Sequence, residues 1–294
     1  MSKKFTVVYT VLLISFTLYV LLDTFLLQRV YSVVESDTTS TSSTKNVDKG
    51  EVVSSSDMYS DDNITITLKT YRENDTNIYV ADVVVNDSSF LKTAFANNAY
   101  GKNVTAKTSS IAESVNAILA INGDYYGVQN SGYVLKNGTI YRNTSSGNED
   151  LVIYSDGSFE IINEDDITLE ELVEKGAYNI LSFGPCLVSN EKITVSETDE
   201  VGKAMASNPR TAIGIIGENH YVFVVSDGRT NESEGLSLYE LAEFMQELGV
   251  QTAYNLDGGG SSTMYFNGKV VNNPTTNGNR ISERSVSDIV YIGY

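Results

Sequence analysis

Ser237-Leu238-Tyr239-Glu240-Leu241-Ala242-Glu243-Phe244-Met245-Gln246-Glu247-Leu248-Gly249 runs on through Val250-Gln251-Thr252-Ala253-Tyr254-Asn255-Leu256 into Asp257-Gly258-Gly259-Gly260-Ser261-Ser262. The first part has helical spacing. Leu238, Leu241, Met245 and Leu248 fall on one face, which is the stripe a helix buries. Ser237 and Glu240 have the capping-box spacing that satisfies free N–H groups at a helix start, and Gly249 supplies the stop. Thr252 to Leu256 then reads as a short buried strand. A helix followed at once by a strand places both in one α+β domain. The three glycines cost backbone entropy that a plain turn does not need. They imply that something approaches the backbone closely, and an anion cradled by N–H groups is the expectation. No Gly-Lys-Ser/Thr follows, so this is not a nucleotide P-loop.

Outward from this segment, strands outnumber helices. Ile64, Ile66 and Leu68 alternate with threonine, the period of a half-buried strand. Ile78 to Val85, Ile118 to Ile121, Ile180 to Phe183, Thr211 to Ile216, Tyr221 to Ser226, Ser262 to Phe266 and Ser287 to Ile292 add further strands. Leu151 to Tyr154 and Phe159 to Ile162 flank Asp156-Gly157, a hairpin turn. Short helices are expected at Ile111 to Ala117 and after Thr168. The fold class is therefore α+β, a single strand-rich domain over residues 63–294.

Two segments precede it. Lys3 and Lys4 stand before an apolar run from Phe5 to Leu27, long enough to cross the ~30 Å hydrocarbon core of a bilayer. The positive flank predicts a single-pass signal anchor over residues 1–30, with a cytoplasmic N-terminus and the remainder outside the cell, a cleaved signal peptide being the alternative. Ser36 to Asp62 is rich in Ser, Thr and Asp. Residues 31–62 are read as a disordered stalk, because few apolar groups are available to offset the entropy of ordering.

The 294 residues carry a formal charge of −18, which excludes a partner held by phosphate backbone contacts, so no nucleic acid is expected. One cysteine, Cys186, allows no intrachain disulfide, and one histidine, His220, excludes a His-rich zinc centre. An exported chain without disulfides points to a bacterial surface of the Gram-positive kind.

Polar residues gather at the ends of apolar strands, where sites on sheets are built. Asn122-Gly123-Asp124-Tyr125 presents a carboxylate and an amide beside an aromatic face suited to a sugar ring. Arg210-Thr211 opens a buried strand with a cation that needs an anion. Asp227-Gly228-Arg229 and Asp257-Gly258-Gly259-Gly260-Ser261-Ser262 repeat the pattern.

Together with Arg210-Thr211-Ala212-Ile213-Gly214 and Glu283-Arg284-Ser285-Val286, these motifs resemble, in type and order, the phosphodiester glycosidase family. The resemblance covers roughly Ala117 to the C-terminus, and Leu256-Asp257-Gly258-Gly259-Gly260-Ser261-Ser262 is its most specific part. It implies hydrolysis of the glycosidic bond of a sugar-1-phosphodiester, in surface polysaccharide or exopolysaccharide metabolism. Asp124 and Asp257 are then the first carboxylate pair, with Asp227 and Glu283 next. Asn122, Tyr125, Arg210, Thr211, Arg229, Gly258, Gly259, Gly260, Ser261, Ser262 and Arg284 are the expected substrate and phosphate ligands. No cofactor is required by this reading. Two alternatives stay open: a phosphodiesterase in which Asp124, Asp227 and Asp257 hold Ca²⁺ or Mg²⁺, and a glycan-binding surface module without turnover.

Overall fold

The computed structural model describes residues 3–34, 49–198 and 207–294. In chain order the elements begin with α1 (Lys3–Phe25), β1 (Arg29–Val33), β2 (Val53–Ser54), β3 (Met58–Ser60), β4 (Ile64–Glu73), β5 (Thr76–Val85), β6 (Leu91–Phe95) and β7 (Ala99–Lys102). Next come α2 (Thr108–Ser114), β8 (Leu119–Asn122), β9 (Val134–Lys136), β10 (Thr139–Arg142), β11 (Glu149–Tyr154), β12 (Phe159–Asn163), α3 (Leu169–Glu174) and β13 (Ala177–Leu181). The last are β14 (Cys186–Ser189), β15 (Lys192–Ile193), β16 (Thr211–Gly217), β17 (His220–Ser226), α4 (Leu238–Glu247), β18 (Thr252–Leu256), β19 (Met264–Phe266), β20 (Lys269–Val270) and β21 (Asp288–Ile292).

Two sheets carry the site. The larger has nine strands in the order β15-β14-β18-β16-β17-β5-β4-β3-β2, and the smaller has five in the order β20-β19-β8-β21-β6. Their facing sides form one core. Ile66, Val83, Phe223, Ile213 and Leu256 of the larger sheet cluster with Leu119, Ile121, Val290 and Phe266 of the smaller. Each sheet is also covered behind. Leu241, Ala242 and Met245 of α4 pack on Val80, Val222 and Ala253. Ile111 and Ala112 of α2 pack on Ala120 and Ile289. Burial on both faces is why the central strands read as unbroken apolar runs rather than alternating ones. The order α4, large sheet, small sheet, α2 makes the predicted α+β domain a four-layer stack.

The helix signals acted as read. Ser237 and Thr168 both accept a hydrogen bond from the backbone of the third helical residue, and Glu240 and Glu171 return it. Each such cap is worth about 1 kcal/mol. The helix expected at Ile111 to Ala117 begins earlier, at Thr108.

The stalk needs correction. Residues 35–48, the middle of it, lie outside the described residues. The remainder is not loose: β2 pairs with β3, and β3 with β4, so the large sheet extends back to Val53. Tyr59 is buried there, and Asp61 caps the start of β4 by accepting from Asn63 N and Ile64 N. A Ser/Asp-rich edge strand lacks the alternation that marks inner strands, which hid it. Nearer the N-terminus, β1 pairs antiparallel with β7. The apolar helix α1 is exposed along its length and is long and apolar enough to cross a membrane.

Candidate active site

Antiparallel pairing gathers the motifs. Thr211 at the start of β16 lies opposite Val225 near the end of β17 and Leu256 at the end of β18. Arg210, Asp227 and Asp257 therefore leave the large sheet at one edge. In the small sheet, β8 ends at Asn122 opposite Ile289 of β21. Asn122 joins the two edges. Its Nδ2 donates to Asp257 O at 2.6 Å, while its Oδ1 accepts from Thr211 Oγ1 at 2.9 Å and Thr263 N at 3.2 Å. Asn122 and Thr211 are fully buried. Their place in this structure is the brace between sheets, not the ligand surface expected of them.

A cleft of about 520 Å³ opens at this joint, with Asp124, Tyr125, Asp257 and Arg284 among its walls. Asp124 is held from behind. Its Oδ1 accepts from Tyr126 N at 3.0 Å, and its Oδ2 from Lys136 Nζ at 3.1 Å and Ser182 N at 3.2 Å. Lys136 also meets Asp288 Oδ2 at 2.7 Å, and all three side chains are at most 3% exposed. One buried ammonium thus faces two carboxylates. Burial, reinforced by the Asp124 charge and opposed by Lys136, pushes Asp288 up to about 7. Gly123 exists for this cluster: a Cβ there would lie 2.3 Å from Asp288 Oδ1.

Asp257 is arranged differently. Arg284 NH2 donates to both its oxygens, at 3.1 and 2.9 Å, and Ser261 Oγ donates to Oδ2 at 2.6 Å. Arg284 Nε in turn donates to Ser261 Oγ at 2.9 Å. Burial raises the Asp257 carboxyl above its ordinary value, against the pull of Arg284 and Ser261. The Arg284 side chain is 41% exposed and can exchange its partner for an incoming anion.

The glycine run does admit close neighbours, but they are protein groups. A Cβ on Gly258 would stand 2.9 Å from Pro209 O, one on Gly259 3.0 Å from an Arg229 nitrogen, and one on Gly260 2.4 Å from Thr276 Oγ1. Gly259 N donates to Pro209 O, and Ser261 N to Gly258 O. Those two N–H groups, of the four from Gly258 to Ser261 expected to cradle an anion, are spent inside the chain. Ser262 is buried beside the run. Arg229 donates to Asn208 Oδ1 and Thr276 O. Burial, then the nearby Arg284 charge, lowers its pKa, so two guanidiniums flank this edge. Arg210 is buried, with Nε on Leu236 O at 2.8 Å.

Two expected carboxylates are not brought to the cleft. Asp227 Oδ1 accepts from Asn273 N, and its Oδ2 from Asn273 Nδ2 and Tyr79 OH. It pins a covering loop and lines a different hollow. Glu283 accepts from Ser109 N and Ser109 Oγ and secures the first turn of α2. The three aspartates of the metal-assisted alternative are thus not gathered, and no cluster of three or more His, Cys, Asp or Glu suited to a metal occurs among the described residues. His220 pairs with Asp82 at the far end of β17, and Cys186 is buried with its thiol pushed up to about 11. Sequence reasoning missed Lys136 and Asp288. The signal was faint, a charge at the end of each short apolar run, Val134-Leu135-Lys136 and Asp288-Ile289-Val290.

The sequence profile of phosphodiester glycosidases matches residues 115–293, the segment that carries Asp124, Tyr125, Asp257 and Arg284 of this cleft. The chain belongs to the phosphodiester glycosidase family. Among its relatives, the SPbeta prophage-derived uncharacterized protein YomE of Bacillus subtilis is 30% identical over 193 residues, covering 63% of this chain and 29% of that one. Human N-acetylglucosamine-1-phosphodiester alpha-N-acetylglucosaminidase is 30% identical over 188 residues, covering 58% of this chain and 36% of the human one. The chain thus spans about a third of the length of these curated relatives. The zebrafish enzyme of the same name, solved as a catalytic domain auto-inhibited by its pro-peptide, superposes with a TM-score of 0.62 at 22% identity, covering 79% of this chain and 83% of that one. A hypothetical protein from Synechocystis gives 0.53 at 18% identity, covering 78% and 62%. These likenesses show a shared fold.

Proposed function

We propose that the protein is an extracytoplasmic hydrolase, held to the membrane by α1, that cleaves the glycosidic bond of a sugar-1-phosphodiester in surface polysaccharide or exopolysaccharide metabolism. The observation that carries this reading is the meeting of Asp124, Asp257 and Arg284 on one cleft at the joint of two sheet edges. Arg284 takes a non-bridging phosphate oxygen through its two-pronged donor set. Asp124, fixed by three hydrogen bonds and sealed in the wall, is a positioned anion behind the site of the oxocarbenium-like anomeric carbon. Asp257, raised by burial, exchanges a proton with water or with the leaving oxygen. Tyr125, 43% exposed in the cleft, offers a face to the sugar ring.

In this reaction the anomeric C–O bond breaks, and its electron pair leaves with the phosphate. Water supplies the new anomeric hydroxyl, so a reducing sugar and a phosphomonoester form in equal amounts. Turnover of a panel of sugar-1-phosphodiesters in ¹⁸O-water tests this. The label is expected in the sugar. Label in the phosphate, with sugar-1-phosphate as product, would mean P–O cleavage and overturn the reading in favour of the phosphodiesterase alternative.

A further inference from the structure

The cleft wall is not made by the catalytic domain alone. Thr24, at the end of the apolar helix, lines it beside Asn103, Asp124 and Arg284. The helix exit is fastened there: Asn103 Nδ2 donates to Thr24 O at 3.2 Å and to Leu27 O at 3.1 Å. The chain then pairs along β7 as β1. Gly101 lets the two backbones meet, since a Cβ there would stand 2.1 Å from Arg29 O. The glycine fits a docked strand and would serve no purpose beneath a loose tether.

A second feature adjoins the first. A groove of about 540 Å³ runs beside β1, walled by Tyr31, Val33, Tyr100, Ile140 and Tyr141. Val30, Tyr31, Val33 and Ile140 are all exposed. Apolar groups and tyrosines around the exit of a spanning helix are what a bilayer interface accommodates. The groove and the cleft are separate hollows on one short stretch of chain, with Tyr100 of β7 in the groove and Asn103, just past β7, in the cleft.

We infer that the cleft opens at the membrane surface and that its substrate is a lipid-anchored sugar-1-phosphodiester, the sugar and phosphate in the cleft and the first part of the lipid chain in the Tyr31–Ile140 groove. This rests on the hydrolase reading above and names the substrate class of the same site. A phosphodiester on a polymer far from the bilayer cannot reach a mouth fastened to the helix exit, whereas a lipid headgroup is delivered to it by lateral diffusion.

The test uses the full chain in phosphatidylglycerol–phosphatidylethanolamine vesicles. It compares one sugar-1-phosphate esterified either to a polyprenol in the vesicle or to a short alkanol in water. The lipid form is expected to be turned over with a kcat/KM at least about tenfold higher, the effect of a few CH₂ groups leaving water. Ile140→Asp and, separately, Gly101→Val should each shrink that ratio at least about fivefold. General damage to the fold would lower both rates together and leave the ratio unchanged. A fluorophore on Ile140→Cys should be quenched by brominated lipid. Equal turnover of the two substrates, an unchanged ratio in both variants, or an unquenched fluorophore would each overturn the inference while leaving the hydrolase reading intact. Hydrolysis of neither substrate would overturn that reading and this inference with it.

Discussion

The two carboxylates of the cleft sit at the ends of β8 and β18, a strand from each sheet, yet their surroundings are opposite. Asp124 is sealed against Lys136 and Asp288, with no side chain of the three more than 3% exposed. Asp257 is held from the front by Arg284 and Ser261, and its main partner is 41% exposed. The first cluster spends its interactions on position, because a buried ion pair that loses a partner leaves an uncompensated charge. The second keeps partners that can be traded for substrate. A displacement at an anomeric centre calls for one fixed anion and one group that changes its bonds during the reaction. In the proposed reaction the small sheet would supply the first and the large sheet the second.

Breaking each side should therefore fail differently. Asp257→Asn keeps the shape and removes the proton site, so kcat is expected to fall on the order of a hundredfold or more while the melting temperature holds. Lys136→Met leaves Asp124 and Asp288 facing each other in the core, and should cost about 3–5 kcal/mol of stability. Kinetics and thermal melts on both variants decide the matter. A well-folded Asp257→Asn protein with near-normal turnover would end the division of labour. So would a Lys136→Met protein as stable as the parent.

Arg284→Lys sharpens the open side. Lysine keeps the charge but cannot reach Ser261 and both Asp257 oxygens in one plane. KM for the phosphodiester should rise about tenfold, with a smaller change in kcat, since the fork contributes mainly to holding phosphate. An equal loss in kcat with KM unmoved would place Arg284 in the chemistry rather than in binding.

Local signals were legible in the sequence and distant partnerships were not. The α4 capping box, its apolar stripe and the β18 strand all lie within one short segment, and each acts as its letters imply. Asp124 and Asp257 were legible because each is the first polar group beyond a buried strand. Asp227 follows its strand in the same way, yet Asn272 and Asn273 fold over it from another part of the chain. The glycine run announced a close approach, but its neighbours, Pro209, Arg229 and Thr276, come from distant segments. Lys136 stood before an Asn-Gly turn like any surface residue, and only the fold brings it to Asp124 and Asp288.

The smallest expected effect lies in how stability depends on pH, and it belongs to the sealed side. An unfolded aspartate titrates near ~3.9. In the folded protein Asp288 holds its proton to about 7. Burial, opposed by Ser182 and reinforced by Glu164, carries Asp150 to about 9. Both are raised groups, so across these windows the folded state binds the proton that the unfolded state has released. Their contribution is then complete below about pH 4 and is lost as pH rises, through about 7 for Asp288 and on to about 9 for Asp150. The melting temperature should accordingly decline from pH 5 to pH 9. Asp288→Asn removes the first titration and leaves Lys136 paired with Asp124 alone, so it should flatten the lower half of that decline. Asp150→Asn should flatten the decline over the whole range, including the part above pH 7, and raise stability most at pH 9. Differential scanning calorimetry at unit pH steps measures all three profiles. A parent protein whose melting temperature rises between pH 6 and pH 9 would mean that these buried carboxyls are charged in the folded state.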